Sequence, residues 1–358
     1  MKRFSRSVVV LAVPFASLVG LFTPSVAANT TPTWHVVHVP IKVQRFSAIF
    51  CTSALSCDTS SFNNATDVST SDGGATWQNA PGATSQTGLS SLACVANSEC
   101  YATASTSNTL DIVADPLGNF GTLSPVYRNP NGDVMSSIAC PSTNVCVAAG
   151  SNGAASGPGG YIWYSHNLGT KHPTWHTYGV TVLNNQAGGF SSISCPNENT
   201  CYALDQLGGA IYKSINGGES FSSIPMSGIT TPKLEGMSLL SISCPEVSYH
   251  DCVVVGDDLI TNHPVIIEPH FKNSKWSLAE LSRTTAVLRS VSCATARFCV
   301  AVGDHLIMGT SNAGYDWYQY TEPKSGGSLD SVSCPIVSVC YATSVIIPGY
   351  SGKVLKLG

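Results

Sequence analysis

The sequence predicts an all-β fold, a seven-bladed β-propeller of four-stranded antiparallel blades, on three observations. A phrase made of an apolar and serine run, a cysteine, a short polar turn and a second cysteine recurs seven times along the 358 residues. Successive first cysteines are 41–55 residues apart, a period in the range of propeller repeats and too long for leucine-rich or ankyrin units. Between them, short apolar and β-branched runs alternate with Gly, Asn, Ser and Pro clusters, and no segment sustains a 3.6-residue period.

The fourth repeat shows the unit most fully. Its strands read "FSSISC", "CYAL", "GAIYKS" and, after the turn "INGGE", "SFSSIP". Four strands in each of seven repeats make the propeller. The phrases use all 14 cysteines, pairing Cys51 with Cys57, Cys94 with Cys100, Cys140 with Cys146, Cys195 with Cys201, Cys244 with Cys252, Cys293 with Cys299 and Cys334 with Cys340. Zinc fails on spacing, because structural sites present ligands about two to four residues apart in converging pairs. Here five or seven residues intervene and each pair belongs to a different repeat. No redox C-x-x-C occurs, so each pair is expected to staple the hairpin between the first and second strands of one blade.

The N-terminus sets the compartment. Lys2, Arg3 and Arg6 precede an apolar run from Val8 to Phe22 and a small-residue exit at Ser25-Val26-Ala27, the pattern of a cleaved secretory signal over residues 1–28. A single uncleaved anchor is the competing reading, and the short run and alanine exit favour cleavage. No later stretch approaches the ~20 apolar residues of a membrane helix. An even cysteine count in an exported chain is read as disulfides. The protein is thus expected to be secreted, or held at the exterior of the cell envelope, as a monomer with one propeller domain over residues 29–358. The last repeat stops after its third strand, while "PTWHVVHVP" at the other end nearly duplicates "PTWHTYGVT", the fourth strand of repeat three. Residues 33–40 are therefore expected to complete the C-terminal blade and remove an open sheet edge.

Charged residues make up only 11% of the chain and the net charge is −4. That excludes the basic field needed for nucleic acid and the polybasic stretch needed for anionic lipid.

A second phrase precedes the fourth strand in four repeats: "TSDGGATW", "SHNLGTKHPTW", "SINGGESF" and "TSNAGYDW". It resembles the Asp-box, S/T-x-D-x-G-x-T-W, of the BNR-like propellers, among them sialidases, sortilin-type receptors, some xyloglucan-active glycosidases and photosystem II assembly factors. Asp72 and its counterparts Asn167, Asn216 and Asn312 suit acceptance of backbone N–H bonds inside the turn, and Gly74, Gly169, Gly218 and Gly314 suit positive φ. The box is read as a folding device.

Ligands are expected on the opposite face, where departures from the repeat collect. Four residues before the first cysteine the repeats read Ser47, Ser90, Ser136, Ser191, Leu240, Arg289 and Asp330. Asp205, Asp257, Asp258 and Asp304, with His305, gather after the second strands of repeats four to six, where turn chemistry alone explains Gly256-Asp257 and Gly303-Asp304. The Gly-rich run 150–160 lacks the Lys-Ser/Thr of a phosphate loop and is read as a mobile loop, and Trp163 after it as inter-blade core. There is no G-x-S-x-G, no H-E-x-x-H and no cysteine left over. No catalytic residue, metal ligand or cofactor is assigned.

The resemblance to sialidases implies an arginine triad, a Tyr/Glu nucleophilic pair and an acid/base Asp on six blades. Arg45, Arg128, Arg283 and Arg289 are the arginines available to such a site, and the Arg-Ile-Pro opening signature is absent. The resemblance in blade count and phrasing to photosystem II assembly factors implies instead a non-enzymatic propeller that binds a protein or carbohydrate ligand. The chain departs from those factors in its disulfides and in lacking a strong arginine patch. Arg289, Asp330, Asp205, Asp257, Asp258, Asp304, Arg45, Arg128 and Arg283 are the candidate ligand contacts, with a sialidase-like or other glycoside hydrolase as the alternative.

Overall fold

In the computed structural model, residues 32–39, 45–61, 68–79, 88–95, 99–105, 110–115, 124–129, 132–152, 159–170, 173–182, 189–207, 209–269, 275–281, 284–324, 326–344 and 352–358 are described. The signal assigned to residues 1–28, Pro40, Arg283 and the centre of the Gly-rich run, 153–158, lie outside them. Seven four-stranded antiparallel sheets form the ring, each built in chain order from its first to its fourth strand. The seventh is the exception, because Leu329–Ile336, Val339–Ser344 and Val354–Leu357 take their fourth strand from Trp34–Val37. Trp34 pairs with Leu357 and Val37 with Val354, so the first and last described strands share one sheet. Trp34 is buried against Leu355 and Leu357 and meets Tyr320 of blade six edge-on at 6.3 Å.

Every expected cysteine pair is a disulfide, with Cα atoms 4.0–4.1 Å apart at the hairpin of its own blade. The longer Cys244/Cys252 turn holds one 3₁₀ turn, Tyr249–Asp251. The disulfide hairpins and the third-to-fourth turns share a face, since the Gly73, Leu168, Gly217 and Ala313 amides donate to the carbonyls of Leu55, Asn144, Asn199 and Arg297.

A belt of serines joins the blades. Neighbouring blades meet through their first strands, whose inner edge has no strand partner and would leave its N–H groups unpaired. The serines three residues before the first cysteine supply the acceptor: Ser91, Ser137, Ser192, Ser241, Ser290 and Ser331 each accept an amide of the next blade at 3.1–3.3 Å. Ser194, Ser243, Ser292 and Ser333, one residue before the cysteine, accept the next blade's cysteine amide at 2.9–3.0 Å. The bonds from Ile49 and Cys51 of blade one to Ser331 and Ser333 of blade seven close the ring. Blade one carries Ala48 and Phe50 at these positions, which is why its phrase is the weakest copy.

In the turn before the fourth strand, Asp72 accepts the Thr76 amide at 2.9 Å, and the Gly74 amide donates to Thr70 Oγ1. Asn216 and Asn312 accept from Ser220 and Asp316, and Asn167 reaches Thr174 across its insertion. Gly74, Gly218 and Gly314 have positive φ as expected, but Gly169, in the turn that carries the insertion, does not. Trp163 is fully buried between blades two and three, as inter-blade core.

Candidate functional site

The site grows out of a break in the belt. Four residues before the first cysteine, Ser47, Ser90 and Ser191 donate to the Leu89, Met135 and Leu239 carbonyls of the next blade. In blades five, six and seven the same position holds Leu240, Arg289 and Asp330. The ring gives up a structural hydrogen bond there and places charge at the inner strands, on the face away from the disulfides.

The charges of blades six, seven and one form one network. The Arg45 guanidinium, two residues before blade one's Ser47, reaches back to Asp330 Oδ2 with Nε at 2.9 Å and a terminal nitrogen at 2.8 Å. On its other side Asp330 Oδ1 lies 3.7 Å from Arg289 Nε. Arg289 in turn donates to both oxygens of Asp304 at 3.0–3.2 Å. Burial raises the Asp330 carboxyl above its usual range, against the downward pull of the two guanidiniums. Asp257, on the second strand of blade five, pairs with Ser238 and Pro264. Its carboxyl too is raised by burial more than Arg289 lowers it.

Glycines place two of these acids. A Cβ on Gly256 would lie 2.0 Å from the Ser238 carbonyl oxygen, and one on Gly303 would lie 1.8 Å from that of Val287. Neither glycine has positive φ, which corrects the turn explanation: each is required by the bulge where its partner strand shifts register. The same Val287 carbonyl accepts the Asp304 amide at 3.0 Å and fixes the start of that turn.

The remaining candidates separate from the network. Asp258 is held by its own turn, accepting the Ile260 and Thr261 amides at 2.8 and 2.9 Å, and by the Lys233 ammonium. Burial pushes this carboxyl up, but those donors outweigh it and set it at about 2. Lys233 comes from a short helix, Thr231–Glu235, in the blade four to five connection, an element the all-β pattern did not signal. Asp205 is buried in blade four, where it accepts the Leu207 amide at 3.3 Å. Arg128 is exposed on the outer strand of blade two, in register with Asp111. Arg45 and Arg289 therefore converge on one carboxylate, while Arg128 belongs to a different blade and a different layer; Arg283 lies outside the described residues. Among the described residues, one group has metal-capable side chains together, Asp58 with Cys94 and Cys100, and both of its sulfurs are in a disulfide.

No protein-family model and no curated protein sequence matches the chain. Solved structures do. YCF48 bound to a D1 peptide superposes with a TM-score of 0.61 at 13% identity, over 90% of this chain and 96% of that one. Virginiamycin B lyase from Staphylococcus aureus gives 0.65 at 13% identity, over 91% and 99%. A GH74 enzyme of Niastella koreensis gives 0.61 at 14% identity, over 87% of this chain and 53% of that one. At such identities the likeness is one of fold, and these propellers include a peptide binder as well as enzymes.

Proposed function

We propose that the chain is an exported, non-enzymatic binding propeller that recognises a protein ligand on the face opposite the disulfides. The observation that carries this reading is the replacement of the serines four residues before the first cysteine by Arg289 and Asp330, linked into a charged network with Arg45 and Asp304. A structural position is surrendered in adjacent blades, and the two guanidiniums of the network are partly open to solvent, with the Arg45 and Arg289 side chains 42% and 38% exposed. Partly exposed, oriented charges give partner selection and register rather than fold stability. The peptide held by a propeller of similar fold supports a protein ligand. Seven bridged blades, and no helix among the described residues long and apolar enough to cross a membrane, suit an exported protein. The turns around Asp72, Asn167, Asn216 and Asn312 keep the hydrogen bonds expected of Asp-boxes and act as folding devices.

Site-specific photocrosslinking tests the reading. A crosslinker at Asp304 should capture a discrete protein from the cell envelope of the source organism, and one at Thr52, beside a disulfide, should not. Turnover of a fluorogenic glycoside that Asp330→Asn abolished would overturn it.

A further inference from the structure

In blade six the second strand turns straight back, with Asp304 and His305 alone between the paired Gly303 and Leu306. In blade five six residues, 258–263, intervene between the paired Asp257 and Pro264. Asp257 and Asp304 each stand five residues after the second cysteine of their blade, so the longer turn leaves the same end of the neighbouring sheet. Every amide of its tip is bonded. Asp258 donates to the His263 carbonyl, Leu259 to that of Gly236, Ile260 and Thr261 to Asp258 Oδ1, and Asn262 to the Asp258 carbonyl, all at 2.7–2.9 Å. Asn262 takes a left-handed conformation, φ 55°, one of the few non-glycine residues suited to it. The connection from blade four braces the turn. Lys233 of its helix pairs with the Asp258 carboxylate, and Leu234 is buried over Gly209, where an added Cβ would lie 2.5 Å from the leucine's own.

This fixed turn holds two aliphatic side chains in water. Leu259 is 51% exposed and Ile260 80%, the highest value for a large apolar residue among the described residues, at positions where turns usually carry Gly, Asn, Asp or Ser. We propose that Leu259 and Ile260 are the apolar anchor by which this face holds its protein partner, seated in an apolar pocket of that partner beside the contacts made by Arg45, Arg289 and Asp304. The inference rests on the binding reading given above and names the chemistry of the contact. Burying the two side chains supplies affinity, and the bonded turn has already lost the freedom that a loose loop would give up on binding. An apolar anchor in a pocket with charged groups at its rim is the usual anatomy of a protein interface. A second copy of this chain is disfavoured by area, because two side chains meeting their own equivalents fall far short of the roughly 1,200 Å² of a stable interface. A lipid surface is disfavoured by charge, since the chain carries a net −4, Lys233 is already paired, and stable anchoring needs a second signal beyond a short apolar insertion.

The test titrates the protein captured by the Asp304 crosslinker, once purified, against the intact, disulfide-bonded propeller and its variants. The double substitution Leu259→Ser and Ile260→Ser should weaken binding by about tenfold or more, while Ile260→Val stays within about twofold of the parent. Both side chains stand in solvent, so the variants should melt with the parent, which separates a lost contact from a lost fold. Binding unchanged by the double substitution would overturn the anchor and leave the binding reading intact. So would a parent dimer in analytical ultracentrifugation that the double substitution dissolves, or co-sedimentation of the parent with phosphatidylcholine/phosphatidylglycerol vesicles that it abolishes, since either assigns the tip to another occupant. An Asp304 crosslinker that captures no protein would overturn both.

Discussion

Arg289 and Asp330 stand at the same register position of neighbouring blades, four residues before each first cysteine, and Arg289 Nε lies 3.7 Å from Asp330 Oδ1. The carboxylate is 8% exposed and sits between two guanidiniums, so it is the shared counter-ion of the network. Removing it leaves two like charges facing each other across a small gap.

Asp330→Ala should therefore destabilise the fold by about 1–2 kcal/mol, less than the ~3–5 of a fully buried broken pair because both arginines reach solvent. Arg45→Ala should cost less, since Asp330 keeps Arg289. Urea unfolding of the two variants checks the order. Equal losses would mean that Arg289 does not interact with Asp330 across the 3.7 Å gap.

The serine belt makes a separate prediction. Ser292 Oγ accepts the Cys334 amide at 2.9 Å, and Ser292→Ala leaves that N–H without its partner. A buried donor left unpaired costs about 1–2 kcal/mol, whereas Ser223→Ala on an exposed outer strand should stay within about 0.5 kcal/mol. Amide exchange at Cys334 should speed up in step with the lost stability. Unchanged exchange would show that the contact carries no weight.

The features legible in the sequence are those that a local pattern encodes. Hairpin staples such as Cys140/Cys146 depend on one turn, and the duplicate of Pro173-Thr174-Trp175-His176 at Pro32-Thr33-Trp34-His35 reveals the closing strand because fourth strands share a phrase. The serines were visible as a repeat, but which hydroxyl meets which amide depends on ring geometry: Ser331 and Ile49 are bonded across 282 residues. For the same reason Arg289 and Asp330 could be aligned by register, while Arg45 and Lys233 come from connections that no repeat describes. Gly256 and Gly303 look like turn residues in the sequence, and only the neighbouring strand's bulge shows why they are glycine.

Closure through Trp34 sets a third expectation. Its ring is 5% exposed and packs on Leu355, Leu357 and Tyr320, joining blades six and seven to the N-terminal strand. Trp34→Ala should cost about 3–5 kcal/mol, as for other buried large aromatics. Deleting residues 29–40 should bare the edge of Val354–Leu357 and promote association. A truncated chain that stayed monomeric and melted with the intact one would contradict the closed ring.

The last expectation concerns pH. Glu268, on the third strand of blade five, is directed at the turn of blade six, where a Cβ on Gly314 would overlap its Oε2 and where Trp317 Nε1 donates to it at 3.4 Å. Burial raises its carboxyl from 4.5 to about 7, with the Trp317 bond pulling slightly the other way. Between pH 4.5 and 7 the folded protein therefore holds a proton that the unfolded chain has released, so stability falls as pH rises through that window and levels off above it. At about 1.4 kcal/mol per unit the loss comes to roughly 2–3 kcal/mol, allowing for partial exposure. Asp72 and Asp258, both held at about 2, lose their contribution only as pH falls below 4, outside this window. Glu268→Gln keeps an acceptor for Trp317 and removes this titration, so its stability should decline less than the parent's across the window. Urea midpoints for both proteins at pH 4.5, 5.5, 6.5 and 7.5 decide it: parallel profiles would mean that Glu268 titrates normally and that the blade five to six seam is open to water.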